Sequence, residues 1–101
     1  MPRFGQHSRL TAAPGRRDEL VARFQEAARI QAANPACDLM FASIAPDDED
    51  TVYLTEVWAS EDEHTRARES PEIQEWAQGM PELVAGGPDT QRFEPVGGKG
   101  L

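Results

Sequence analysis

A tryptophan closing one predicted strand and a histidine in the helix after it are the residues of this chain best placed to do chemistry. Side chains alternate along a strand, so in Thr51-Val-Tyr-Leu-Thr-Glu-Val-Trp58 one face carries Val52, Leu54, Glu56 and Trp58 and the other Tyr53, Thr55 and Val57. Ser60 and Glu63 match the S-x-x-E capping box, in which the Ser hydroxyl takes a free amide and the Glu reaches back. His64 then falls about one helical turn beyond the cap, near enough to Trp58 to share a cavity rim. A large aromatic and a titratable ring at the mouth of a half-buried sheet can seat an aromatic ligand and move a proton on it. An imidazole suits the role of base because its ordinary pKa of about 6.5 lies near working pH. Glu56, inward on the Trp58 face, is the second candidate base; the competing reading pairs it with Arg9 or Arg92 across strands. The plain alternative is a core tryptophan and a solvated helix histidine.

Other candidates carry less. His7 on the first strand either reaches the cavity or sits on its rim. Cys37 has no base or cation beside it in sequence and reads as a small buried hydrophobe. His7, His64 and Cys37 lack metal-ligand spacing, so no metal site is expected. Asp47-Asp48-Glu49-Asp50 reads as a solvated hairpin turn, since a calcium loop needs alternating ligands, a central Gly and a distal Glu. Gly97-Gly-Lys-Gly100 lacks the spacing, the Ser/Thr and the following helix of a phosphate loop. No G-x-G-x-x-G is present, and no bound nicotinamide, flavin or other cofactor is expected.

The elements that must position these residues are legible in the 101-residue chain, one domain with a folded core over 4–96 and a Gly-rich tail over 97–101. Phe4 to Thr11 predicts a strand with Gln6, Ser8 and Leu10 on one face and His7, Arg9 and Thr11 on the other. After Pro14, placed in a first helical turn, Arg16 to about Ala33 predicts a helix whose inner stripe is Leu20, Phe24, Ala27, Ala28 and Gln31. Cys37 to Ala45 is an apolar strand expected to be covered on both faces. A short charged helix spans Ser60 to about Glu69. Another opens at Ser70-Pro71 with the stripe Ile73, Trp76, Ala77, Met80 and Val84, kinked by Gly79 and Pro81. Thr90 to Val96 is the last strand. The order β-α-β-β-α-β is that of an α+β, ferredoxin-like split-βαβ domain with an antiparallel sheet and helices on one face. A second copy packing sheet against sheet would cover the other face.

A formal net charge of −8 argues against nucleic acid, because phosphate binding needs concentrated Lys and Arg. A single cysteine excludes an intrachain disulfide framework and fits a reducing interior. No apolar h-region follows Met1 and no run approaches about 18 apolar residues, so neither a signal peptide nor a membrane span is expected. A cytoplasmic location follows as the expectation.

Four features together resemble the antibiotic biosynthesis monooxygenase family: Arg9-Leu-Thr-Ala-Ala-Pro-Gly-Arg-Arg-Asp-Glu-Leu20, the Thr55-Glu-Val-Trp58-x-Ser60-x-x-x-His64 module, Ser70-Pro71, and Phe93-Glu-Pro-Val-Gly-Gly-Lys-Gly100. The resemblance implies a dimeric α+β barrel: a homodimer of ferredoxin-like protomers, each with a small cavity between sheet and helices. It also implies a choice of activities, among them cofactor-free oxidation of anthrones or quinols and degradation of haem. By the same resemblance, Trp58 matches a strand-end tryptophan that lines the cavity, and His64 falls where anthrone-oxidising members place a tyrosine or other polar group. Leu54 stands where those members carry an asparagine, a departure that argues against the anthrone reaction. Ser8 and about Ala77 stand where the haem-degrading branch uses Asn and His, which disfavours haem. Catalysis by His64 or Glu56 is therefore expected, with Trp58, Leu54, Ser8, Phe41 and Trp76 around the substrate; Phe41 and Trp76 can equally be plain core. The expected function is a cofactor-independent monooxygenase acting on a small aromatic, quinol or polyketide-like compound. The alternatives are a dimeric protein that binds a small hydrophobic molecule or serves a stress response, and an isomerase or lyase on a small carbonyl compound.

Overall fold

The computed structural model describes residues 2–101 and orders them as β1 (Phe4–Thr11), α1 (Arg17–Gln31), β2 (Cys37–Ile44), β3 (Thr51–Trp58), α2 (Glu61–Arg68), α3 (Pro71–Ala77) and β4 (Asp89–Phe93). All strand pairs are antiparallel and the sheet runs β2-β3-β1-β4, the ferredoxin-like arrangement expected from the element order.

Local chemistry sets the boundaries. Pro14 lies outside α1, against expectation: Arg16 N–H donates to Ala13 O at 2.9 Å and Gly15 has φ of 75°. These are the marks of a turn with Pro at its second position and Gly at its third, where a positive φ excludes helix. α2 opens as predicted, the Ser60 hydroxyl accepting from Glu63 N–H at 3.2 Å. The Glu63 carboxylate turns instead to Arg66 at 2.8 Å. α3 opens on Ser70, whose hydroxyl accepts from Ile73 N–H, with Pro71 in its first turn. It ends at Ala77 rather than kinking onward, and hydrogen-bonded turns carry the chain to buried Leu83. There Ala13 N–H donates to Leu83 O and Ala85 N–H to Thr11 O, stitching this segment to the end of β1. β4 stops at Phe93, three residues short of the expected Val96; Pro95 has no amide to extend the ladder.

Helices cover one face of the sheet, and two apolar clusters form there. Ala12, Leu20, Phe24, Val52 and Leu83 make one, and Phe4, Trp58 and Ala67 the other. On the opposite face Leu39, Phe41 and Phe93 are about two-fifths exposed, so β2 is covered on one side only within a single chain. Phe93 folds over Gly5, where any Cβ would collide with its ring.

Candidate functional site

Between the two clusters the helices stand off the sheet and leave a cavity of about 520 Å³, within the usual range for small-molecule sites. Its floor comes from alternate residues of the central strands, including Ser8, Leu10, Leu54 and Glu56. Phe24, Ala27 and Gln31 of α1 and Ile73 and Trp76 of α3 form its roof.

At one end Glu56, Trp58 and His64 meet, all nearly fully buried. Trp58 Nε1–H donates to Glu56 Oε1 at 3.1 Å, satisfying an indole that burial would otherwise leave unpaired. His64 Nε2 lies 3.5 Å from the same oxygen. The imidazole stands edge-on to Trp58, with centroids 5.5 Å apart, and 5.0 Å from the Phe4 ring. The local sequence builds this arrangement directly. Two-residue alternation puts Glu56 and Trp58 on one face, and the Ser60 cap starts α2 so that His64 returns over them. His64 is thus a buried partner of the strand carboxyl, not a solvated helix residue.

Glu56 makes neither of the ion pairs considered for it. Arg9 lies on the opposite sheet face beside Tyr53, and Arg92 pairs with Glu61 at 2.6 Å. His7 is also on that opposite face, its Nδ1 2.9 Å from Thr55 Oγ1 and its ring stacked on Tyr53. Ser8 faces the cavity and shares a hydrogen bond with Thr90 at 3.1 Å. Trp76 is a fixed wall: its Nε1–H donates to Arg23 O at 2.7 Å, Arg23 donates back to Trp76 O, and the guanidinium stacks over the indole.

Phe41 is the correction. It was expected at the cavity, yet it projects from the other face, opposite Thr55, while Met40 lines the cavity opposite Glu56. A bulge between Cys37 and Leu39 is the cause. Cys37 pairs with Trp58 but Leu39 pairs with Val57, so Asp38 is an extra residue and the alternation inverts beyond it. Unbroken pairing from Cys37 would have put Phe41 opposite Leu54, facing inward.

Four residues that line the cavity are not among the site residues expected from sequence: Gln6, Gln31, Arg68 and Arg92. Gln31 had a readable signal, a polar residue on the buried stripe of α1. Away from the cavity lining, burial pushes the Cys37 thiol above its ordinary pKa. Hydrogen bonds from the Thr51 hydroxyl and the Asp50 amide hold Asp48 below the usual carboxylate range. Among the described residues no group of three or more His, Cys, Asp and Glu side chains could hold a metal ion, and no helix is long and apolar enough to cross a membrane.

Residues 3–79 match the family model for antibiotic biosynthesis monooxygenase. The chain belongs to that family. Among solved structures, a candidate antibiotic biosynthesis monooxygenase from Chloroflexus aurantiacus is 30% identical, with 95% of each chain covered and a TM-score of 0.85. Another such candidate, from Caulobacter crescentus, is 21% identical over 95% of this chain and 92% of that one, at a TM-score of 0.85. A variant of SnoaB, a cofactor-independent oxygenase from Streptomyces nogalater, is 18% identical over 98% of each chain, at a TM-score of 0.83. No curated protein matches. The family's ferredoxin-like fold is the one described above, and this member sets a buried Glu–His–Trp cluster at one end of its cavity.

Proposed function

We propose that this family member is a cofactor-independent monooxygenase that oxidises a small aromatic, quinol or polyketide-like compound with O₂, and that it works as a homodimer. The observation that carries this reading is the buried contact of Glu56 and His64 beside Trp58 at the end of a largely apolar cavity. The solved oxygenase of the same fold supports it.

Such a reaction needs no redox group from the protein, because an ionised substrate itself reduces oxygen. The donor carbon is a methylene acidified by neighbouring rings or carbonyls, or the equivalent keto tautomer of a phenol. A base removes one proton, and the carbanion passes an electron to O₂. The resulting radicals combine into a hydroperoxide. Loss of the second C–H proton and cleavage of the O–O bond leave C=O and release water. One oxygen atom is retained, one leaves as water, and the four electrons taken by O₂ match those lost as CH₂ becomes C=O.

His64 serves as the base. A tautomer that keeps its proton on Nε2, 3.5 Å from the Glu56 carboxyl, leaves Nδ1 as the proton acceptor. Trp58, Trp76 and the aliphatic lining exclude water and hold the ring system. Leu54 offers no hydrogen bond to a substrate carbonyl, which favours the second reading, a dimeric binding protein without turnover. Leu39, Phe41 and Phe93, exposed on the uncovered sheet face, support the homodimer. Oxygen-electrode assays against a panel of quinols, anthrones and phenols discriminate the two readings: catalysed uptake supports the oxygenase, and tight binding without uptake by any compound supports the binding protein.

A further inference from the structure

We infer that the substrate is an acidic aromatic compound, a phenol or polyketide ring bearing a carboxylate, held at the cavity rim by the exposed Arg68, one helical turn beyond His64, while the oxidised ring lies inside against Glu56 and His64. This rests on the oxygenase reading of the same cavity.

The chain carries −8 overall and only ten basic residues, nine of them arginines. Six of those arginines are ion-paired: Arg3, Arg16, Arg17, Arg23, Arg66 and Arg92. Of the other three, Arg68 is the one that reaches the cavity. Its guanidinium is exposed and has no acidic partner among the described residues, while its carbonyl is held by Gln74 Nε2 at 2.8 Å. The last turn of α2 suits a cation because of the helix dipole, but that does not account for its place on the cavity wall. Arg92 comes to the same cavity from β4, and its position is preset: it pairs with Glu61 and its guanidinium lies 5.3 Å from the Phe4 ring centroid.

Polarity then fixes the orientation. An acidic group at the inner end would sit against the Glu56 carboxyl, whose near oxygen already accepts from Trp58. At the rim it meets a guanidinium with its donors unspent, and a guanidinium matches a carboxylate in a two-bonded fork. On so acidic a protein, a local cation at the entrance also offsets the general repulsion of anions.

The test compares 6-hydroxy-2-naphthoate with 2-naphthol, which differ only by the carboxylate, in anaerobic titration calorimetry. The acid should bind at least about tenfold tighter than the naphthol, the size expected for a hydrogen bond to a charged group. Arg68→Gln should remove that preference while leaving 2-naphthol affinity unchanged, and added salt should shrink it. Arg68 is exposed, so the variant is expected to fold, and circular dichroism checks this. Equal affinities, no binding of the acid, or a preference that survives Arg68→Gln would each overturn the inference. Oxygen uptake reads the underlying function separately. An Arg68-dependent preference with no uptake of any phenol sinks the oxygenase and leaves the acid site standing; uptake of neutral phenols without the preference does the reverse.

Discussion

Replacing His64 by alanine tests the proposed chemistry most directly, and the structure sets the size of both effects. Loss of a general base should lower kcat about 10²–10⁴-fold, roughly 3–5 kcal/mol of barrier. The same change removes ring contacts at 5.0 and 5.5 Å to Phe4 and Trp58. Each such contact is worth about 0.5–1.5 kcal/mol, so stability should fall by about 1–3 kcal/mol. For a domain of this length that lowers Tm by about 5–20 °C, so turnover must be read well below the variant's own melting point. Glu56→Gln separates the carboxyl's role from its packing, because the amide oxygen can still accept from the Trp58 indole. If Glu56 acts through the imidazole, Glu56→Gln should slow the wild type yet cost nothing further on the His64→Ala background. The assay is oxygen uptake with whichever panel compound is consumed. A folded His64→Ala protein with unchanged turnover removes His64 from the mechanism, and an added loss from Glu56→Gln in the double variant makes the carboxyl an independent base.

Trp58→Ala should raise KM and destabilise the fold by roughly 3–5 kcal/mol, the usual cost of truncating a buried tryptophan; an unchanged urea midpoint would show that the ring contributes no packing. Leu39→Asp or Phe41→Asp should dissociate the proposed dimer or unfold the protein, since both project from the uncovered sheet face and a stable interface buries roughly 1,600 Å². Elution of the wild type as a monomer at micromolar concentration contradicts that assembly. Cys37, with its thiol pKa raised by burial, should be alkylated by iodoacetamide more slowly than free cysteine at neutral pH and faster as pH rises. A rate matching free cysteine in the folded protein would refute the shift.

The fold was legible because local signals agreed with one another. Period-two alternation in β3, the Ser60 and Ser70 caps and the stripe of α1 all point to one element order, and the strand order β2-β3-β1-β4 follows from it. The meeting of Glu56, Trp58 and His64 in the candidate site was legible for the same reason, since it depends on one strand and one cap. Phe41 was not, because its facing depends on Asp38 being bulged out of the ladder, and no Gly marks that position. Arg68 and Arg92 escaped for another reason. Their chemistry depends on which carboxylates neighbour them across the fold, and a charged residue at the end of a helix, like Arg68, or on an edge strand, like Arg92, looks the same in sequence whether it faces solvent or a cavity. The end of β4 shows a smaller version of the problem. Thr90 to Val96 reads as a strand by composition, but the ladder ends at Gly5 opposite Phe93, and Pro95 has no amide with which to extend it.

The placement of the polar cluster has an energetic reason as well as a chemical one. A domain of this size has a modest core, and burying a carboxyl and an imidazole there costs free energy unless each finds a partner. The structure meets that cost locally: the Trp58 indole donates to Glu56, the His64 ring lies against Glu56, and Phe4 and Trp58 supply the remaining contacts. The cavity therefore opens on one side of a satisfied cluster rather than through the middle of it. Arg68, one helical turn beyond His64, and Arg92, whose guanidinium lies over the Phe4 ring, line the same cavity with side chains exposed to water. With His64 as the proposed base, a buried imidazole close to an exposed guanidinium suits a molecule that is apolar where it reacts and charged where it meets water. The fold carries the site without breaking either apolar cluster, because Leu20, Phe24 and Val52 hold one end of the sheet while Phe4, Trp58 and Ala67 hold the other.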